Sequence, residues 1–345
     1  MTAQLLAAAL GLTVALAAVD LFRDETADYT AQREFVSPIS GLHFVADVLV
    51  RQPRVQSWDH DRCPHSAVNT FAYQLVIDPA TGYVESPDRF ALPAPWGADE
   101  VREIVGEPRF SRNTPEGLPW AGAYAWEKFE NAARLAEAAG RPKTELGNYW
   151  LLAGWSVRLD FALGPGEFRA QVEEILSHMP RVTPEPGGLN TIYELELADY
   201  WAELDAAGEL TGQPRSAAAL AIAWLYRSRG ELADAEHWLA VAAEEDPLLA
   251  GAPGGVYAHL RSSIKLEGDY LRSARRLLSE AWTGGAVAVA NEGGAAFLIA
   301  EIDRRLGEYA EAVRWYDLAL ANHRGAIARD LIERQRRAAV DRQGL

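Results

Sequence analysis

The chain has 345 residues, 49% of them hydrophobic and 24% charged, which excludes wholesale disorder and leaves room for two domains. A formal charge of −16 excludes the broad basic face that nucleic-acid binding requires. The single cysteine, Cys63, excludes an internal disulfide and any metal site built from four thiolates.

In chain order, residues 1–22 come first. Thr2 to Val19 carry no charge, and a mostly apolar run of about 18 residues approaches the ~20 that span a bilayer. Ala15-Leu16-Ala17 offers a small-x-small cleavage site, but no Lys or Arg precedes the run. The segment reads either as a signal or anchor or as an N-terminal helix packed in the fold. The chain would accordingly lie in the cell envelope or in a bacterial cytoplasm, and membrane contact is expected only through residues 2–19.

Residues 27–100 form a β-rich stretch. Leu42–Val50 and Phe71–Ile77 alternate or cluster apolar residues as strands do. Pro108, Pro115 and Pro119 punctuate residues 101–121, which read as a Pro-rich linker. From residue 122 to 345 Ala, Leu, Glu and Arg recur with helical period, predicting helices near Ala123–Ala139, Thr144–Ala162, Glu167–His178 and Thr191–Ala207.

The rest of this half repeats. Ser216–Leu249 places Ala219, Ile222, Ala223 and Tyr226 on a first helix, Gly230 at a turn, and Leu232, Ala235, Leu239 and Ala242 on a second, with Pro247 closing the unit. Gly293–Ala321 repeats the pattern through Ala296, Ile299, Ala300, Gly307, Tyr309, Ala312 and Tyr316. A weaker copy between them puts its turn at Gly268. The fold class expected is mainly α: an α-solenoid of tetratricopeptide-like helical hairpins behind a small β-rich module. In such arrays each hairpin buries its apolar faces only by stacking on its neighbours.

Three short segments, Ser37-Pro38-Ile39-Ser40-Gly41, Asp59-His60-Asp61-Arg62-Cys63-Pro64 and Asp78-Pro79-Ala80-Thr81-Gly82-Tyr83, resemble a bacterial family of uncharacterised function. That family joins a zinc-ribbon-like Cys-Pro-x-Cys-Gly module to tetratricopeptide repeats. The stretch LIAEIDRRLGEYAEAVRWYDLAL is similar to its terminal repeat. The resemblance implies four metal cysteines where this chain has Ser37, Ser40, Asp78 and Thr81. Neutral hydroxyls are very poor zinc ligands, so no zinc and no other cofactor is expected there. The module is expected to be a degenerate ribbon held by apolar packing, with Phe35, Phe44, Phe71, Tyr73 and Tyr83 as its core.

Two site readings remain. His60, Asp61, Cys63 and His65 are the densest group of ligating or nucleophilic side chains, and would serve a metalloprotein or an enzyme with a Cys63 nucleophile. Their spacing matches no ligand pattern, which favours a small turn residue at Cys63. The preferred reading is a non-enzymatic scaffold binding a protein or peptide on the concave face of the repeats. Its expected contact residues are Trp224 and Arg227, Ser262 and Lys265, and Glu301 and Arg304, on three successive first helices. A membrane-tethered envelope scaffold is the remaining alternative.

Overall fold

A computed structural model describes residues 26–66, 68–109, 114–163, 190–210, 214–251, 255–325 and 327–343, together with residue 174. The N-terminal apolar segment and the helix expected over Glu167–His178, apart from residue 174, lie outside them. Among the described residues no helix is long and apolar enough to cross a membrane.

The described residues are mainly helical, with three small antiparallel sheets among them. After a short helix α1 (Thr26–Tyr29), strands β1 (Thr30–Val36) and β2 (His43–Leu49) pair in unbroken register, Phe35 opposite Phe44. Strands β3 (Val55–Trp58) and β4 (Pro64–Ser66) form a second hairpin around the loop 59–63. Strands β5 (Val76–Ile77) and β6 (Val84–Glu85) form a third. The strand expected over Phe71–Ile77 is therefore shorter. Asn69 accepts a hydrogen bond from Phe71 N at 3.1 Å and caps a 3₁₀ turn at Thr70–Tyr73, so only Val76 and Ile77 remain extended.

Helix α2 (Ala98–Val105) follows, then α3 (Ala125–Ala138), α4 (Lys143–Leu163) and α5 (Asn190–Ala206). The hairpin α6 (Arg215–Ser228) and α7 (Leu232–Glu245) turns at Gly230, whose φ is 69°. A short helix α8 (Pro247–Gly251) leads into α9 (Val256–Thr283). A second hairpin, α10 (Glu292–Arg305) and α11 (Tyr309–Ala321), turns at Gly307, φ 80°, and α12 (Arg329–Arg342) packs on α11. Left-handed backbone suits glycine at both turns.

The turn expected at Gly268 does not exist. Gly268 sits within the 28 residues of α9, which runs unbroken. A glycine inside a helix costs only about 1 kcal/mol relative to alanine, and no proline accompanies it, so the flanking amphipathic pattern prevails. Instead of folding back on itself, α9 packs antiparallel to α4. Gly147 lies against Leu278 and Gly154 against Leu271, where a Cβ would approach to 2.8 and 3.1 Å. The two glycines let the helices come close.

Among the described residues two large apolar cores result. One joins Leu151 of α4 to α5, α6, α7, α9, α10, α11 and α12, with Ala235 and Ala312 fully enclosed at the hairpin crossings. The other joins Phe35, Phe71, Tyr83 and Phe90 of the β-rich stretch to α2, α3, Ala153 and Val157 of α4, and Leu266 and Tyr270 of α9. Helices α4 and α9 serve both cores. In the stretch expected as a linker, Val101, Val105 and Trp120 are buried in the second core.

Candidate functional site

The Pro-x-x-Gly turns repeat one geometry twice. Gly41 N donates to Ser37 O and Gly82 N to Asp78 O, at 3.0 and 2.9 Å, and both glycines are left-handed, at φ 71° and 79°. Ser37 N donates to Leu42 O as Asp78 N does to Tyr83 O. Where the resemblance implies a metal, hydrogen bonds join the turns. The Ser37 and Thr81 hydroxyls both donate to Asp78 Oδ2, at 2.6 and 2.8 Å, and all three side chains are buried. Backbone amides complete the knot: Ile39 N and Ser40 N donate to Ser37 Oγ, Ala80 N to Asp78 Oδ1 and Tyr83 N to Thr81 Oγ1. Ser40 stays exposed outside it. Three hard oxygens already satisfied in this way make a poor zinc site, and Trp120 and Asn131 clamp the second turn from α3's side.

The chemistry of the chain concentrates elsewhere, where the β3–β4 loop enters the helices. The loop closes through Asp59 N to Cys63 O and Arg62 N to Asp59 O, both 2.9 Å, with Arg62 in the left-handed region at φ 70°. Asp59 and Asp61 thereby point inward. Arg158 of α4, wholly enclosed, donates to Asp59 at 2.7 Å, Asp61 at 2.8 Å and Glu267 of α9 at 2.7 Å. Trp155 Nε1 donates to Asp61 at 3.0 Å.

The network extends along both hairpins. Arg227 pairs with Glu267 at 2.9 Å, and Arg229 lies 3.5 Å from Asp59. Arg305 reaches Asp61 at 3.4 Å and also donates to the Arg229 carbonyl. Arg304 pairs with Glu231 at 2.6 Å and Glu301 at 3.0 Å, and Tyr316 donates to Glu301 at 2.6 Å. Five carboxylates (Asp59, Asp61, Glu231, Glu267, Glu301) thus face five guanidiniums (Arg158, Arg227, Arg229, Arg304, Arg305), and the formal charges cancel. Balance of this kind is what makes ten buried charges tolerable.

Electrostatics follow from that balance. Burial opposes ionisation of Asp61, yet Arg158 and Arg305 hold its carboxyl far below the usual range. Burial likewise opposes ionisation of Asp59, and the His65 hydrogen bond and Arg158 prevail. Glu231 is held down to about 2 by Arg304 and Arg305 against its burial. Burial pushes the Cys63 thiol well up, and the nearby Arg158 charge does not offset it. An enclosed, protonated thiol is a poor nucleophile.

The sequence's two site readings are both rearranged. Of the expected cluster, Asp61 is committed to Arg158, and the His60 imidazole is disfavoured as a cation mainly by burial, with Glu301, Arg304 and Glu231 as its charged neighbours. Asp59, not singled out in the sequence, joins Cys63 and His65 instead: His65 Nε2 is 2.9 Å from Asp59 Oδ2, and one ligand atom from each of the three lies within 4.8 Å of the others. Of the expected concave stripe, Arg227 and Glu301 are buried and Arg304 nearly so, which corrects their expected exposure. Their charges are used up internally. Ser262 and Lys265 are exposed and Trp224 is half-buried. The signal for this network was the run Arg227, Arg229 and Glu231 around a turn glycine, where charges too dense for an apolar hairpin call for buried partners.

A family model described as an uncharacterised protein conserved in bacteria (DUF2225) matches residues 209–340. No curated protein matches the chain, and no solved structure does.

Proposed function

We propose that the chain is a non-enzymatic scaffold that binds a protein or peptide through tetratricopeptide-like helical hairpins. The observation carrying this reading is the equivalence of the two hairpin turns, residue by residue. Gly230 N donates to Arg227 O and Gly307 N to Arg304 O; Glu231 N donates to Tyr226 O and Glu308 N to Asp303 O. Ala235 N then returns to Glu231 O and Ala312 N to Glu308 O, at 3.0 and 2.9 Å, opening each second helix the same way. Repeated hairpins of this kind present extended surfaces suited to an extended ligand. Among the described residues the ion network around Arg158 is closed and internally neutral, which fits a structural role better than catalysis.

Of the surface positions read from the repeats, Lys265 and Ser262 are free to meet a partner, with Trp224 as a half-buried apolar neighbour. The test is quantitative capture of a partner from a bacterial extract by the wild-type chain and by a Trp224→Ala/Lys265→Glu variant. The expected outcome is one saturable partner lost by the variant, with an unchanged thermal melt. Equal capture by both would move the binding surface off these helices, and the absence of any saturable partner would overturn the scaffold reading.

A further inference from the structure

We infer that Asp59, Cys63 and His65 form a site for a borderline divalent cation such as Zn²⁺, for which Arg229 now stands as the competing cation. The inference is independent of the scaffold reading. The three side chains belong to one short segment at spacings of four and two residues, and the left-handed Arg62 backbone folds Cys63 back beside Asp59. Carboxylate oxygen, thiolate sulfur and imidazole nitrogen make a donor set that suits zinc and leaves a fourth position open. Ligand atoms around a tetrahedral zinc stand roughly 3.3–3.8 Å apart at zinc's bond lengths of about 2.0–2.3 Å. A limit of 4.8 Å between the present donor atoms therefore leaves at most about 1–1.5 Å of contraction.

The surrounding charges decide how a cation would enter. Asp59 is shared by Arg158, Arg229 and His65. Arg158 keeps Asp61 and Glu267 when Asp59 turns to a metal. Arg229 stands against the donors themselves: its Nη1 lies 3.5 Å from Asp59 Oδ1 and 3.4 Å from His65 Nε2, within reach of two of the three ligating side chains. Cation binding and the Arg229 contact are mutually exclusive. On binding, the Cys63 Sγ–H bond breaks, its proton leaves to solvent, and the thiolate and the Asp59 carboxylate together offset the dication. His60 and Asp61 take no part: the charged neighbours of His60 are Glu301, Arg304 and Glu231, and Asp61 is paired with Arg158 and Arg305.

The experiment is a titration of the full chain with Co²⁺ alone, followed by Zn²⁺ competition. The expected result is a thiolate-to-cobalt charge-transfer band with tetrahedral ligand-field bands, saturating at one equivalent and displaced by Zn²⁺. Cys63→Ser should abolish the charge-transfer band while circular dichroism stays native. His65→Ala, at a half-buried position, should weaken binding. Arg229→Gln should tighten it at least about tenfold, because a like charge a few ångströms from the metal is removed. No saturable charge-transfer band, a band that survives Cys63→Ser, or an affinity indifferent to Arg229→Gln would overturn the inference.

Discussion

Arg158 faces more charge than it carries. Its guanidinium, with no solvent exposure, answers Asp59, Asp61 and Glu267 at once. Removing it leaves Asp59, Asp61 and Glu267 to the more distant Arg229, to Arg305 and to Arg227, with one buried carboxylate in excess over the network, and breaking a buried pair from one side costs about 3–5 kcal/mol. Arg158→Met keeps most of the side-chain volume and isolates that cost. We predict a loss of that size from urea midpoints, and a loss below ~1 kcal/mol would mean that Arg227, Arg229 and Arg305 compensate for the missing guanidinium. The acid side of the network responds to pH with a definite sign. Glu231 has an ordinary value of 4.5 and a folded value of about 2, so its ionised form stabilises the fold above pH 4.5. That contribution disappears as pH falls from 4.5 towards 2. Asp59 and Asp61 are displaced in the same direction, so their losses add. Urea midpoints should therefore drop steeply below pH 4.5, and a flat profile down to pH 2 would contradict the network's charge assignment.

Helical elements show how one residue type takes opposite roles. Gly230 is left-handed at a hairpin turn, and a Cβ there would run into the guanidiniums of Arg158 and Arg305. Gly268 is helical, and a Cβ there would meet only the mobile end of Arg272 at 3.4 Å. We predict that Gly230→Ala destabilises by at least ~1–2 kcal/mol, through strain and displaced ion pairs. Gly268→Ala should stabilise by about 0.5–1 kcal/mol, because alanine loses less backbone entropy in a helix. Matching effects of one sign in thermal melts would refute the assignment of Gly268 to a helix interior. The same pair explains what was legible at this scale. Helices announced themselves by period and composition, so Ala125–Ala138, Lys143–Leu163 and Asn190–Ala206 fall within one or two residues of expectation. Gly230 and Gly307 were legible as turns because the Gly-Glu-x-x-x-Ala pattern follows each. Gly268 is followed by Asp-Tyr-Leu-Arg instead, and glycine alone marks no turn. Partner choice was hidden: nothing in the local pattern of α9 names α4, over a hundred residues earlier, as its neighbour.

Over the whole molecule, the ion network sits where two apolar cores meet. Helices α4 and α9 contribute to both cores, and Arg158 and Glu267 lie on them at the seam. The residues of this site were visible in the sequence, but their grouping was not. Asp59, Cys63 and His65 are close along the chain, whereas Arg158, Arg229, Glu267 and Arg305 arrive from four distant segments. Arg227, Glu301 and Arg304 looked exposed because single hairpins leave those positions outside their own apolar seam. Neighbouring elements close over them: Ser263 and Glu267 of α9 meet Arg227, while Glu231 and Tyr316 meet Arg304 and Glu301. This arrangement argues that residues 122–345, though they hold nearly all the helices, do not stand alone. Excised from the β-rich stretch they lose Asp59 and Asp61, leaving Glu231, Glu267 and Glu301 against five guanidiniums, an excess of two buried cations. They also lose Phe35, Phe71, Tyr83 and Phe90 from the second core, exposing Ala153, Val157, Leu266 and Tyr270. Unpaired buried cations and an uncovered apolar face both favour loosened packing. We predict that the 122–345 fragment keeps helical circular dichroism but melts without a cooperative transition, whereas the full chain melts in one. Adding Arg158→Met and Arg229→Met to the fragment, which cancels the excess charge, should restore part of the cooperativity. A fragment that melts as sharply as the full chain would show that the seam is an interface between two independent domains.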